Sequence, residues 1–116
     1  MQLAHLNSGF PLPNGDIVYI TLMQGRLGCL TRKSEGSSIP LEGYLGCHGA
    51  RCTDDGKEIY FVHSPFGDLI FTDKNGKIKS KFHFQSIWLY DVQQISPTDC
   101  FLMSDRENNK LLVYDG

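Results

Sequence analysis

One pattern constrains this chain more than any composition figure: three segments repeat one another at a fixed interval. Glu58-Ile59-Tyr60-Phe61-Val62-His63 aligns with Cys100-Phe101-Leu102-Met103-Ser104-Asp105 at a step of 42 residues, and the same step backwards reaches Asp16-Ile17-Val18-Tyr19-Ile20-Thr21. The segments that follow keep the phase: Arg26 to Leu30, Asp68 to Thr72 and Lys110 to Tyr114. A self-similar period of this length implies a repeat architecture in which each copy is one supersecondary unit that buries its apolar surface against its neighbours.

Each copy reads as strand, turn, strand, turn, strand. The apolar runs are short and rich in Ile, Val, Tyr and Phe, and no window sustains the i, i+3, i+4 pattern of a helix, so an all-β chain is expected. The first turns are Pro13-Asn14-Gly15-Asp16, Asp54-Asp55-Gly56-Lys57 and Ser96-Pro97-Thr98-Asp99. The second are Gln24-Gly25, Phe66-Gly67 and Asn108-Asn109, where Gly or Asn tolerates the left-handed backbone. A fourth strand is expected from about Ile39 to Leu45 and from about Ile78 to Phe84, with Ser34 to Ser38 as a polar loop. Ile78, Ser80, Phe82 and Phe84 alternate with Lys77, Lys79, Lys81 and His83, as in a half-exposed outer strand.

Four antiparallel strands per unit of roughly 40 to 50 residues resembles the blade of a β-propeller. The run from Asp105 to Asp115 is similar to the closing strand of NHL-type repeats, with Lys110 where that family usually has Arg. The second copy, with His48 followed by an Asp-Gly turn, resembles units of gluconolactonase-like and arylsulfotransferase-like propellers. The resemblance implies a partial or half propeller of about three blades: blade one over 1–46, blade two over 47–88, and blade three over 89–116 without its outer strand.

Closed rings use typically four to eight blades, so three leave faces open, and with 41% apolar residues those faces need covering. Two coverings are expected: self-association of two half rings into a six-bladed ring, or the remainder of a longer propeller chain. Met1 to Ala4 lacks the basic and apolar regions of a signal peptide, and no run approaches the ~20 apolar residues of a membrane helix. A net charge of −2 gives no footprint for nucleic acid or an anionic membrane. The lysines between Lys74 and Lys81 are read as protection of an outer strand.

Cys29, Cys47, Cys52 and Cys100 form no CxxC pair and are read as reduced structural thiols, which points to a cytoplasmic address. A zinc site using Cys47, His48 and Cys52 is one alternative, and disulfides are the other.

If the blades share an axis, the starts of their innermost strands meet at the channel mouth. In register, Asn7 stands opposite His48, and Asp91 is the third blade's contribution; a two-residue slip replaces Asn7 by His5. All of these side chains can ligate a cation. Gluconolactonase-like propellers hold a divalent cation with carboxylates and Asn at this place, and amidating-lyase propellers hold zinc with His, so the resemblance implies a calcium or zinc site on Asn7, His48 and Asp91. The plainer reading is that His48 and Asp91 hydrogen-bond between blades. Trp88, at the crossing into blade three, is a stacking platform for a ligand or a packing residue. Thr21, His63 and Asp105 share a register, and Asp105 is expected to cap the turn after it.

Two functions follow. One is a binding module that takes a small molecule or a protein at the channel mouth. The other is a metal-dependent hydrolase or lyase of the lactonase or amidating-lyase kind. No nucleophile elbow, phosphate loop or HExxH motif is present, and no catalytic residue is assigned.

Overall fold

The structure, a computed structural model, describes residues 6–21, 25–31, 36–41, 43–86 and 88–116. Eleven strands form among them: β1 (Leu6–Pro11), β2 (Ile17–Thr21), β3 (Arg26–Leu30), β4 (Gly36–Pro40), β5 (Cys47–Cys52), β6 (Ile59–His63), β7 (Asp68–Thr72), β8 (Ile78–His83), β9 (Leu89–Ile95), β10 (Cys100–Asp105) and β11 (Lys110–Asp115). They make three separate antiparallel meanders, ordered β1-β2-β3-β4, β5-β6-β7-β8 and β9-β10-β11. The only helical turn among the described residues is a 3-10 turn over Ser64–Phe66, and it closes on Gly67 at φ 70°. A Cβ at Gly67 would lie 2.5 Å from the Ser86 carbonyl oxygen, so this tight corner admits glycine alone. In the third copy Asn109 takes the equivalent left-handed conformation, φ 53°.

The strand period of two sets how the sheets stack. In the middle sheet every residue of β6 and β7 is buried, which requires cover on both faces. Ile59, Phe61 and Ile70 point one way and pack with Val18, Ile20 and Leu27 of the first sheet. Tyr60, Val62, Leu69 and Phe71 point the other way and pack with Leu89, Val92, Phe101 and Met103 of the third. Two cores result, one at each junction between sheets.

The second core is aromatic. Phe101 meets Tyr60 and Phe71 edge to face, with centroids 5.0 Å apart in both pairs. Tyr114 lies 4.4 Å from Phe82 at the outer end of the same junction. Burying such rings supplies the largest apolar area per residue that a short chain can offer.

The outer strands depart from the sequence reading in two ways. The first sheet's fourth strand is Gly36–Pro40, not Ile39 to Leu45, and Ser37 and Ser38 pair with Cys29 and Gly28 within it. Arg26 explains why so polar a segment is held: its Nε donates to Ser38 Oγ at 2.8 Å and its Nη2 to Ser38 O at 3.0 Å. Pro40 has no N–H to give the ladder; Leu41 N–H still donates to Gly25 O at 2.6 Å, and Tyr44 N–H donates to Leu41 O at 3.0 Å. The remainder of the expected polar loop, Ser34 and Glu35, lies outside the described residues.

In β8 the alternation is present, but a bulge opposite Phe71 and Thr72 breaks its register. Ile78 therefore packs on the first core while Phe82 and Phe84 pack on the second.

Candidate inner-strand site

The three innermost strands, β1, β5 and β9, are stitched together by side chains. Asn7 Nδ2 donates to Cys47 O at 2.6 Å, and Ala50 N–H donates to Ser8 Oγ at 2.9 Å. At the next junction Arg51 Nε donates to Val92 O at 3.0 Å, while its Nη2 lies 3.5 Å from Asp91 Oδ2. The same kind of polar cross-link thus recurs one repeat later. Bulges in β1 and β5 fall beside these residues and turn their side chains toward the neighbouring strand.

Gly49 makes the approach possible. It sits at φ 71°, and a Cβ on it would stand 2.5 Å from Asp91 Oδ1. Asp91 in turn accepts from the N–H of Val92 at 2.9 Å.

Asn7, His48 and Asp91 line one cavity of about 180 Å³, together with Ser8, Arg51 and Tyr90. The three side chains thus lie together in space; His5 lies outside the described residues. His48 Nδ1 is 2.6 Å from Ser64 Oγ and 3.2 Å from Gly46 O. Its ring meets Tyr90 at 5.3 Å and, edge on, Trp88 at 5.8 Å.

Trp88 stands behind His48 instead of lining the cavity. Its indole Nε1 is buried and has no acceptor among the described residues, which costs about 1–3 kcal/mol when nothing compensates it.

The donors do not make a metal centre by themselves. Among the described residues no three His, Cys, Asp or Glu side chains stand close enough to share an ion. Cys47 faces the first core, hydrogen-bonds Tyr44 O at 3.4 Å, and is pushed up to about 12 by burial. All four cysteines are free, and Cys47 and Cys52 mark the two ends of β5.

The set Thr21, His63 and Asp105 is structural. All three are buried at the ends of the second strands. Asp105 accepts from Asn108 N at 3.2 Å and Asn108 Nδ2 at 2.8 Å, the turn cap expected of it. Thr21 Oγ1 accepts from Arg26 N at 3.1 Å. His63 acts differently: its Nε2 donates to Leu45 O at 2.8 Å, tying the second sheet to the segment that leads into it.

Sequence reasoning missed Ser8, Gly49 and Arg51. Arg51 carried a usable signal, since it is the sole cation among the described residues of the three inner strands.

No protein-family model matches this sequence, and no curated protein matches it either. Solved structures do. Virginiamycin B lyase from Staphylococcus aureus superposes with a TM-score of 0.77 at 13% identity over 99% of this chain and 42% of that one. A streptogramin B lyase gives 0.76 at 15% identity, over 96% of this chain and 40% of its own. The periplasmic gluconolactonase of Pseudomonas aeruginosa gives 0.70 at 11%, over 97% and 41%.

This chain is a run of β-propeller blades. It is a partial propeller, and it spans about two-fifths of the length of these structures. At such identities the likeness is one of fold, and function must be argued from the site.

Proposed function

We propose that these blades form a binding module whose inner-strand cavity takes a small polar ligand, or the polar tip of a larger one. The observation that carries this reading is the convergence of Asn7, His48 and Asp91, one from each blade, on a single cavity with Arg51 beside them. The volume, about 180 Å³, lies below the roughly 300 Å³ at which drug-sized sites begin, which favours a compact group such as a carboxylate or a vicinal diol. Amide, imidazole, carboxylate and guanidinium together supply both donors and acceptors for such a group.

A second reading is supported by the neighbours' names, lyase and gluconolactonase. In it the same cavity performs hydrolysis or elimination, with a divalent cation shared between Asn7, His48, Asp91 and residues of further blades. This chain's own donors do not complete such a centre, so no step is derived through the ion.

Both readings are tested on one sample. Amide chemical shifts are followed by NMR while gluconate, CaCl₂ and ZnCl₂ are added separately. Binding at the proposed place shifts Asn7, His48 to Arg51, Tyr90 and Asp91, and His48→Ala abolishes those shifts. Absence of any localised shift with millimolar gluconate or either ion sinks the binding reading. The enzymatic one is lost if D-glucono-1,5-lactone opens no faster with the protein than in buffer.

A further inference from the structure

Blade faces are paired in a fixed sense along this chain. On the trailing side, Val18, Ile20 and Leu27 of blade one meet the leading residues Ile59, Phe61 and Ile70 of blade two. One repeat on, the trailing residues Tyr60, Val62, Leu69 and Phe71 of blade two meet the leading residues Phe101 and Met103 of blade three, with Leu112 and Tyr114 behind them. The chain therefore contains the same trailing-to-leading junction twice.

The 42-residue step identifies two faces that have no such junction among the described residues. Blade three's trailing face carries Leu102, Ser104, Leu111 and Val113 at the positions of Tyr60, Val62, Leu69 and Phe71. Leu111 and Val113 are 66% and 58% exposed, and Tyr90 is half exposed beside them. A hollow of about 650 Å³ on this face is lined by Tyr90, Ser104, Arg106, Lys110 and Leu111. Blade one's leading face carries Ile17 and Tyr19 at the positions of Ile59 and Phe61, with Leu30 next to them; Ile17 and Leu30 are exposed. The end of the Tyr19 ring lies against Gly28, where a Cβ would come within 2.2 Å of it. Tyr19 thus stands at the place that Ile70 fills on the middle blade's face.

We infer that a second copy of this chain covers these faces head to tail, the trailing face of blade three in each copy seated on the leading face of blade one in the other. The occupant follows from continuity: the open trailing face repeats two faces that are sealed by leading faces of this same sequence, and the open leading face repeats the faces that seal them. Both contacts form at once in a two-fold pair, which supplies six blades, within the four to eight of closed rings. Each copy brings its own Asn7, His48 and Asp91 to the shared axis, so the cavity described above becomes one half of a channel lined by both. Gln93, exposed and one step of 42 from Arg51, is placed to reach the partner's inner strand as Arg51 reaches β9.

The inference concerns assembly and goes beyond the ligand reading, whose failure in the titrations would leave it standing. Sedimentation equilibrium measures the mass of the intact chain across a concentration series. Twice the chain mass is expected, with Leu111→Asp (trailing) and Ile17→Asp (leading) each weakening the pair by at least ~30-fold, the change typical of a hot-spot residue. An equimolar mixture of the two variants is expected to regain a pair through the one junction left intact.

A wild-type chain that stays monomeric overturns the inference. So does a dimer that survives both substitutions, or one that responds to Leu111→Asp alone. Circular dichroism establishes that the variants fold. Should either not fold, hydrogen exchange on the wild type decides: amides 17–19 and 111–113 gain protection together as concentration rises, and unchanged protection contradicts the pairing.

Discussion

Leu69 and Leu111 hold the same register position on successive blades, and their surroundings could hardly differ more. Leu69 has no exposed surface, enclosed by the aromatic core of the second junction, whereas two-thirds of Leu111 is bare. Nothing in the identity of the residue distinguishes the two. A blade face is a repeating surface, and whether it is a core or an edge depends on what stands against it. The stability of this chain therefore resides in its junctions more than within any one sheet.

Substitutions at equivalent positions sharpen the contrast. The largest effect is expected at the first junction, where Phe61→Ala, removing a fully buried ring from the core it shares with Val18 and Ile20, costs about 3–5 kcal/mol in denaturant unfolding, a large part of the stability of a small domain. Leu69→Ala should cost about 2–5 kcal/mol, and Leu111→Ala, measured at concentrations that hold the chain monomeric, within about 0.5 kcal/mol of zero. Equal losses at the two leucines would break the comparison. Tyr60→Phe tests a polar tie at the second junction, because its hydroxyl accepts from Gln94 N–H at 2.9 Å; a loss of about 1 kcal/mol is expected by the same measurement.

Smaller effects come with pH. Burial holds His63 below the ordinary imidazole value of 6.5, so between that value and the folded one the unfolded chain binds more protons than the native state. Its contribution is fully present above about 6.5 and is lost as pH falls through the folded value. Thermal melts from pH 7.5 to 5.5 should show a falling midpoint, and His63→Gln should flatten the slope.

Asp105 works in a more acid window. The Asn108 side chain, donating to its carboxylate, holds it below the usual 3.8, so its contribution is present above that value and is lost as pH falls through the folded one. Asp105→Asn should remove this component from melts below pH 4. At the thiols, Cys47, raised to about 12 and buried, should resist iodoacetamide at pH 8 under conditions that alkylate the partly exposed Cys100, as read by mass spectrometry of the folded protein.

The architecture was legible because its signal was triplicated. One strand of alternating apolar residues is ambiguous, but Ile17 to Ile20, Ile59 to Val62 and Phe101 to Ser104 at a common step allow few folds. The inner-strand trio was legible for a related reason, since offsets of 41 and 43 residues, each one off the common step, align Asn7, His48 and Asp91. The outer strands were less so. A fourth strand needs only one covered face, and in β4 a side chain from β3, Arg26, holds two serines that local composition assigns to a loop. The bulge that redirects Ile78 is likewise decided by pairing with β7 and leaves no local mark. Arg51 and Gly49 escaped notice because their roles exist only once β9 lies against β5.

The central claim is that three successive meanders stand as separate sheets with two distinct cores between them. Nuclear Overhauser contacts among side chains and strand backbones test it most directly. The account predicts contacts from Phe61 to the methyls of Val18 and Ile20, and from Phe101 to Tyr60 and Phe71, with none between Val18 and Met103. Backbone contacts running in register between the last strand of one meander and the first of the next, Gly36–Pro40 with Cys47–Cys52, would merge the sheets into one and contradict it.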